Sequence, residues 1–283
     1  MKYILKLFFI VFLILPLAGE EKLISFGVEF ENVFDRNLVD KGGKAIITLP
    51  MGSITQILEA SNENVFSKSN RAFFRCSLRP LTFLSIYGKV GLTNLEWGFT
   101  IPNPPGEPGT PPQDIKFKGN VSFIWGAGAK IKIIEIVGFK VELKADYLTY
   151  KPDGKFYIMG IEFKEFEEEQ FRLQHGGGKV KYTIDTAVNE LSAGLLLSKK
   201  FGLITPYLGG GYVDMKPKST LVMEGTPADI GYVKYDMEFN SKMKENVYFI
   251  GGMNINLFGP LHLNLALKTK GVSTFSANLN FVF

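Results

Sequence analysis

FSANLNFVF, Phe275 to Phe283, closes the chain on an alternating pattern. Phe275, Ala277, Leu279, Phe281 and Phe283 fall on one side. Ser276, Asn278 and Asn280 fall on the other, with Val282 the single exception. Period-two alternation marks a strand with one oily face and one polar face. Chain ends are usually polar and frayed, so an amphipathic strand that finishes on Phe implies a partner strand that holds it.

The same period recurs upstream. In LTFLSIYGKVGLT, Leu84, Ile86, Val90 and Leu92 oppose Ser85, Tyr87, Lys89 and Thr93. In VSFIWGAGAKIKI, Phe123, Trp125, Ile131 and Ile133 oppose Gly126, Gly128, Lys130 and Lys132. FKVELKADYLTY sets Phe139, Val141, Leu143 and Tyr147 against Lys140, Glu142, Lys144 and Asp146. LHLNLALK sets four leucines, Leu261 to Leu267, against His262, Asn264, Ala266 and Lys268. A soluble sandwich would alternate as well. The connections separate the two. Short links at 79–82, 134–138, 198–203 and 257–261 alternate with long polar links at 33–69, 96–118, 151–186 and 216–244. Only the last link, around Thr269 to Gly271, breaks the rule.

Short turns on one side and long loops on the other predict an all-β fold, a closed antiparallel transmembrane β-barrel of about ten strands, with eight to twelve admitted. The strands are expected near 22–32, 70–79, 82–94, 119–134, 138–150, 187–199, 203–215, 245–257, 260–269 and 272–283. Within the first long link, GKAIITLPMGSITQILEA (43–60) carries apolar residues and a possible short helix, and reads as a partly ordered surface loop or as a piece folded over the barrel mouth or into the lumen. Residues 44–58 and 155–163 contain further strand-like pieces. PNPPGEPGTPP, Pro102 to Pro112, cannot form a ladder and reads as a stiff external tip.

Residues 1–19 have the order of a secretory signal peptide: Lys2 and Lys6, an apolar run from Leu7 to Leu17, then Ala18 and Gly19. The apolar run is about half the ~20 residues of a spanning helix. The expected division is a cleaved signal, 1–19, and an outer-membrane barrel, 20–283. Net charge is +4, of which the two signal lysines supply two, a balance that gives no reason to expect nucleic acid. Cys76 is the only cysteine, so neither a disulfide framework nor a cysteine metal cluster is available.

The terminal run closely resembles the closing strand of bacterial outer-membrane β-barrel proteins, and YGKVGL, WGAGAKIKI and ITPYLGGGYVDM resemble strands of the single-chain, porin-like members. That resemblance implies location in the outer membrane and contact with its lipid and lipopolysaccharide. It also implies an assembly signal, Phe275, Ala277, Leu279, Phe281 and Phe283, read by the barrel-assembly machinery. Independently of the resemblance, first and last strands must pair, because an open edge in lipid leaves backbone groups unmet. Phe139, Tyr207, Phe281 and Phe283 are placed at the turn-side interface. Phe123, Trp125 and Tyr147 are placed toward the loop side.

Chemical motifs are sparse. His175, in RLQHGGGK, and His262 lack the Asp-x-His of the ten-stranded omptin proteases. HGGG has no Gly-x-Ser-x-Gly beside it, and two lone histidines make a poor metal site. The acids of GIEFKEFEEEQF (Glu162, Glu165, Glu167, Glu168, Glu169) lack EF-hand spacing and read as a solvated loop. No catalytic residue, cofactor or metal is expected. The remaining candidates face the lumen: Arg71, Arg75, Arg79, Lys89, Lys130, Lys132, Lys140, Glu142, Lys144, Asp146 and Glu190, with Glu29 and Glu31. Mixed charges in a narrow tube either line a water-filled path or pair across it and plug it. The expected roles are a structural barrel or narrow porin-like channel without enzymatic activity, a surface-recognition barrel acting through its long loops, or a barrel hydrolase.

Overall fold

The structure is a computed structural model that describes residues 23–58, 64–101, 113–165, 168–169, 172, 180–226 and 231–283. The expected signal segment, the proline-rich run 102–112, Glu167 and His175 lie outside the described residues. The strands are β1 (Ile24–Leu49), β2 (Gly52–Leu58), β3 (Asn64–Leu81), β4 (Leu84–Thr93), β5 (Glu96–Ile101) and β6 (Gln113–Gly119). They continue with β7 (Ser122–Ile136), β8 (Phe139–Tyr150), β9 (Gly154–Ile158), β10 (Ile161–Glu162) and β11 (Val180–Lys199). The last five are β12 (Ile204–Gly225), β13 (Val233–Met243), β14 (Val247–Phe258), β15 (Leu261–Thr269) and β16 (Val272–Val282).

Ten of these form a closed antiparallel ring in the order β1, β3, β4, β7, β8, β11, β12, β14, β15, β16 and back to β1. They are the ten strands that the spacing predicts. The seam pairs Ser25 with Val282 and Phe30 with Ala277, and Phe283 exchanges backbone hydrogen bonds with Ile24. The terminal strand therefore has the partner that its pattern demands. Tight turns join the strands at one end. Between β7 and β8 the turn is Val137–Gly138, both at positive φ (49° and 78°), the twist that suits a two-residue hairpin. Val137 is β-branched in a region that such residues rarely enter.

The outward face dates each strand's passage through lipid. On β11 it reads Lys181, Thr183, Asp185, Ala187, Asn189, then Leu191, Ala193, Leu195, Leu197, then Lys199. On β12 it is apolar from Ile204 to Tyr212 and polar from Asp214 to Thr220. Asp214 pairs with Leu191, so both strands leave the apolar zone at one level. The apolar side chains stand exposed as a belt, among them Phe30, Val90, Trp125, Leu195 and Phe249, which is the surface a bilayer would cover. Aromatic residues rim it: Phe83, Phe139, Phe201, Phe258 and Phe283 at the turn end, and Phe123, Trp125, Tyr147 and Tyr212 at the other. Tyr207 departs from its expected place on the rim. It points inward and bonds to Asn264.

The long links are mostly strand rather than loop. Segment 43–58 forms no helix; it is a hairpin in which Gly43 pairs with Leu58 and Leu49 with Gly52. Its alternating Ile46, Thr48, Ile54 and Gln56 suit a ladder as well as a helical turn, and pairing with β13 on the other side of β1 favours the ladder. Segment 216–244 is the upper part of β12 with β13. Segment 96–118 supplies β5 and β6, onto which β9 and β10 add. The external portion thus continues the barrel wall above the apolar belt. Its interior is a packed core, with Trp97, Phe117 and Phe156 in mutual ring contact at centroid distances of 5.3–5.8 Å. Leu38, Met215, Leu221, Met223 and Met243 are also buried there. Between β10 and β11 the wall is bridged by side chains: Tyr182 donates to Glu162 at 2.8 Å and packs edge-on against Phe163. Hydrogen bonds from Lys155 and Tyr182 hold the Glu162 carboxyl below its usual range.

Candidate functional site: the barrel lumen

The lumen contains two storeys beneath the external core. The upper one is a layer of charges. Alternation in β3 turns Arg71 and Arg75 inward, β4 does the same for Lys89, β8 for Lys144 and Asp146, and β11 for Glu190. Glu190 receives both terminal nitrogens of Arg36, at 2.8 and 3.0 Å, and one of Arg71, at 2.8 Å. Arg71 also reaches Glu31 at 3.4 Å. Lys89 lies 3.1 Å from Glu29, 3.9 Å from Glu31 and 3.8 Å from Asp146. Asp146 takes Lys144 at 2.9 Å and the hydroxyl of Tyr87. Arg75 stacks on Tyr87, 3.7 Å from its ring centre, and lies 3.7 Å from Glu29. Asn278 of β16 donates to Glu29 across the seam. Arg36, Arg71 and Lys89 are each no more than 3% exposed, so the charges of this layer are packed against one another rather than spread along open wall.

Burial without water makes such pairs strong only while each is complete. Gly128 makes room for the Tyr87 ring, since a β-carbon there would strike it. The Nε atoms of Arg36 and Arg71 have no hydrogen-bond partner among the described residues.

The lower storey is a cavity of about 290 Å³. Its lining reaches Ser25, Arg79, Ser85, Lys140, Ser198 and Val282, the last inward residues before the tight turns, so it opens at the turn end. Its ceiling includes Glu29, Glu31, Arg75 and Lys144. Lys140 pairs with Glu142 at 2.6 Å, and Lys132 with Glu135 at 3.1 Å on the rim. Arg79 is an exposed rim residue. Lys130 projects into the cavity. The residues singled out from sequence therefore divide: Arg71, Arg75, Lys89, Lys144, Asp146 and Glu190 join one network, while Arg79, Lys130, Lys132, Lys140 and Glu142 belong to the cavity and its rim. Phe275, Phe281 and Phe283 stand exposed on the outer face of β16, which Ala277 and Leu279 share by their spacing.

Arg36 is the functional residue that sequence reading misses. The first strand was expected to stop near residue 32, yet β1 continues through a bulge between Val33 and Asp35. The extra residue swaps the faces. Glu29, Glu31 and Val33 point inward below it, Arg36 and Leu38 above it. A bulge has no period of its own, so alternation alone could not have assigned Arg36 to the lumen.

Among the described residues no group of three or more His, Cys, Asp or Glu could hold a metal ion, and no helix is long and apolar enough to cross a membrane. The closed ring and apolar belt define the class: a transmembrane antiparallel β-barrel.

No protein-family model matches the sequence, and no curated protein does. Among solved structures the chain is similar to the outer membrane protease OmpT from Escherichia coli, at TM-score 0.44 and 10% identity over 94% of this chain and 98% of that one. It is similar to the translocator domain of the autotransporter NalP from Neisseria meningitidis, at TM-score 0.41 and 7% identity over 95% and 90%. It is also similar to the outer membrane protein OprG from Pseudomonas aeruginosa, at TM-score 0.38 and 10% identity over 93% and 98%. These likenesses are too distant to bear on activity.

Proposed function

We propose that this chain is an exported outer-membrane barrel, free of catalytic chemistry, whose resting lumen is shut and whose work is done by the ordered β-structure it holds above the membrane, as a surface-recognition protein. The observation that supports this reading is the stacking of a dry charge layer beneath a packed apolar core, with Arg71 and Glu190 joined across the tube. A ten-stranded barrel has little spare width beyond the eight-stranded ones that side chains fill. External strands with their own core give a rigid platform rather than loose loops. At its tip the β1–β2 hairpin displays Met51, Ile54 and Ile57, which are 100%, 58% and 78% exposed, an apolar edge of the kind that partners use.

Single-channel recording on the refolded protein in planar bilayers tests the closed lumen. The expected result is a quiet baseline at neutral pH, and steady open-channel current would refute the reading in favour of a narrow porin. Recognition is tested separately, by retention of protein-bearing vesicles on arrays of extracellular proteins and glycans. I54S/I57S should lose retention while refolding normally; equal retention would place recognition elsewhere.

Assembly carries its own expectation. Deleting Phe283 removes the backbone pair with Ile24 at the seam and the residue through which the closing strand would be read by the assembly machinery. Export should persist, and heat-modifiable protein in the membrane should fall. Undiminished insertion would remove the terminal Phe from the assembly signal.

A further inference from the structure

The cavity below the charge layer has a polarity that the closed-barrel reading does not use. On four consecutive strands, β3, β4, β7 and β8, cations stand opposite one another in register: Arg75 faces Lys89, and Lys130 faces Lys144. Like charges directly opposite on neighbouring strands repel. Lys89 and Lys144 are satisfied from above by Glu29 and Asp146. Lys130 is not: among the described residues it makes no ion pair or hydrogen bond, and Glu142, on the same lining, is held by Lys140 at 2.6 Å. Lys268, also on the lining, lies over the ring of Tyr248 at 5.2 Å. The facing wall carries Lys268 and is otherwise rich in uncharged hydrogen-bonding groups, where Asn264 links Tyr207 and Asn254 at 3.1 and 2.6 Å.

We infer that this one-ended cavity is a binding site for a small solute carrying a phosphate monoester, its phosphate seated against Lys130 on the side of Arg75, and its hydroxyl-bearing body against the amide wall. Several cations with their acids already engaged by closer partners call for a dianion rather than another carboxylate from the chain. Buried cations are stabilised by a partner charge far more than exposed ones. The cavity lies at the small end of the ~300–1,000 Å³ typical of ligand pockets, which suits a solute of sugar-phosphate size. Access is from the turn end alone, the end that faces the periplasm in barrels with this loop arrangement. The site would bind without passing its ligand across, so it does not depend on the recognition role.

The experiment is calorimetric titration of the refolded full chain in detergent with inorganic phosphate, glucose 6-phosphate and glucose, each against potassium chloride at matched ionic strength. Phosphate and glucose 6-phosphate should bind, the latter more tightly, and glucose should not. Lys130→Gln should weaken glucose 6-phosphate binding about tenfold or more, the lower range for loss of one charge-assisted hydrogen bond. In chloride alone its unfolding midpoint should equal or exceed that of the wild type, because an unpaired cation has been removed. Phosphate binding no better than chloride would overturn the inference, as would undiminished binding by Lys130→Gln. Should that variant fail to refold, the wild-type titrations decide by themselves.

Discussion

Substituting Glu190 by alanine is expected to destabilise the folded barrel by about 3–5 kcal/mol, the range for breaking a buried ion pair from one side. The carboxylate is the shared acceptor of Arg36 and Arg71. Its removal strands two guanidinium groups in a buried layer where, among the described residues, Glu31, at 3.4 Å from Arg71, is the one acid left in an ion pair with them. The loss should exceed that of Arg75→Ala, because Arg75 keeps part of its surface open to the cavity and its acid, Glu29, retains Lys89. Urea unfolding in lipid vesicles, followed through Trp97 and Trp125, measures the difference. Replacing Arg36, Arg71 and Glu190 together by apolar residues of similar bulk should recover much of the stability. A loss below ~1 kcal/mol for Glu190→Ala, the range of exposed pairs, would mean that water reaches the layer.

The second large effect concerns the outer surface. Leu195→Lys places an ammonium group in the middle of the apolar stretch of β11 and should cost about 2–4 kcal/mol in a bilayer. Thr183→Lys puts the same group on the same strand and the same face, above the level at which Asp214 and Leu191 pair. It should change stability by less than about 0.5 kcal/mol, as ordinary surface substitutions do. Equal costs at the two positions would show that the apolar boundary is misplaced along the strand.

Much of this fold was legible because two independent signals agreed. Period-two alternation placed the inward cations of β3, β4, β7 and β8, and the rhythm of short and long links placed the ring. The upper storey was less legible for physical reasons. Residues such as Ile46, Ile47, Ile54 and Ile57 serve a strand or a short helix equally well, and only the ladders with β13 and within the hairpin decide between them. Tyr207 carries an aromatic ring that suits an interface, yet its place on β12 sets it on the inner face, where Asn264 supplies a partner. Arg36 needed the bulge. Charge pairing across the lumen needed three dimensions: Arg71 and Glu190 lie 119 positions apart on strands that do not touch in the ladder.

The seam has a consequence for how quickly the protein can form. β1 is hydrogen-bonded to β3, its neighbour in the ring, and to β16, the last strand of the chain. The bond from Asn278 to Glu29 closes a loop of 249 positions. Hairpins such as β7–β8 and β14–β15 are local and can form early, but the ring cannot shut until the final eleven-residue strand arrives. Closing so long a loop costs entropy before any contact rewards it. The last step of folding should therefore be the slow one, with β1 an open edge until it is taken. Refolding should accordingly be limited by formation of the β1–β16 seam, so that a disulfide engineered across Phe30 and Ala277, already facing each other, should make the oxidised chain refold faster in lipid vesicles than its reduced form; equal rates would place the slow step elsewhere.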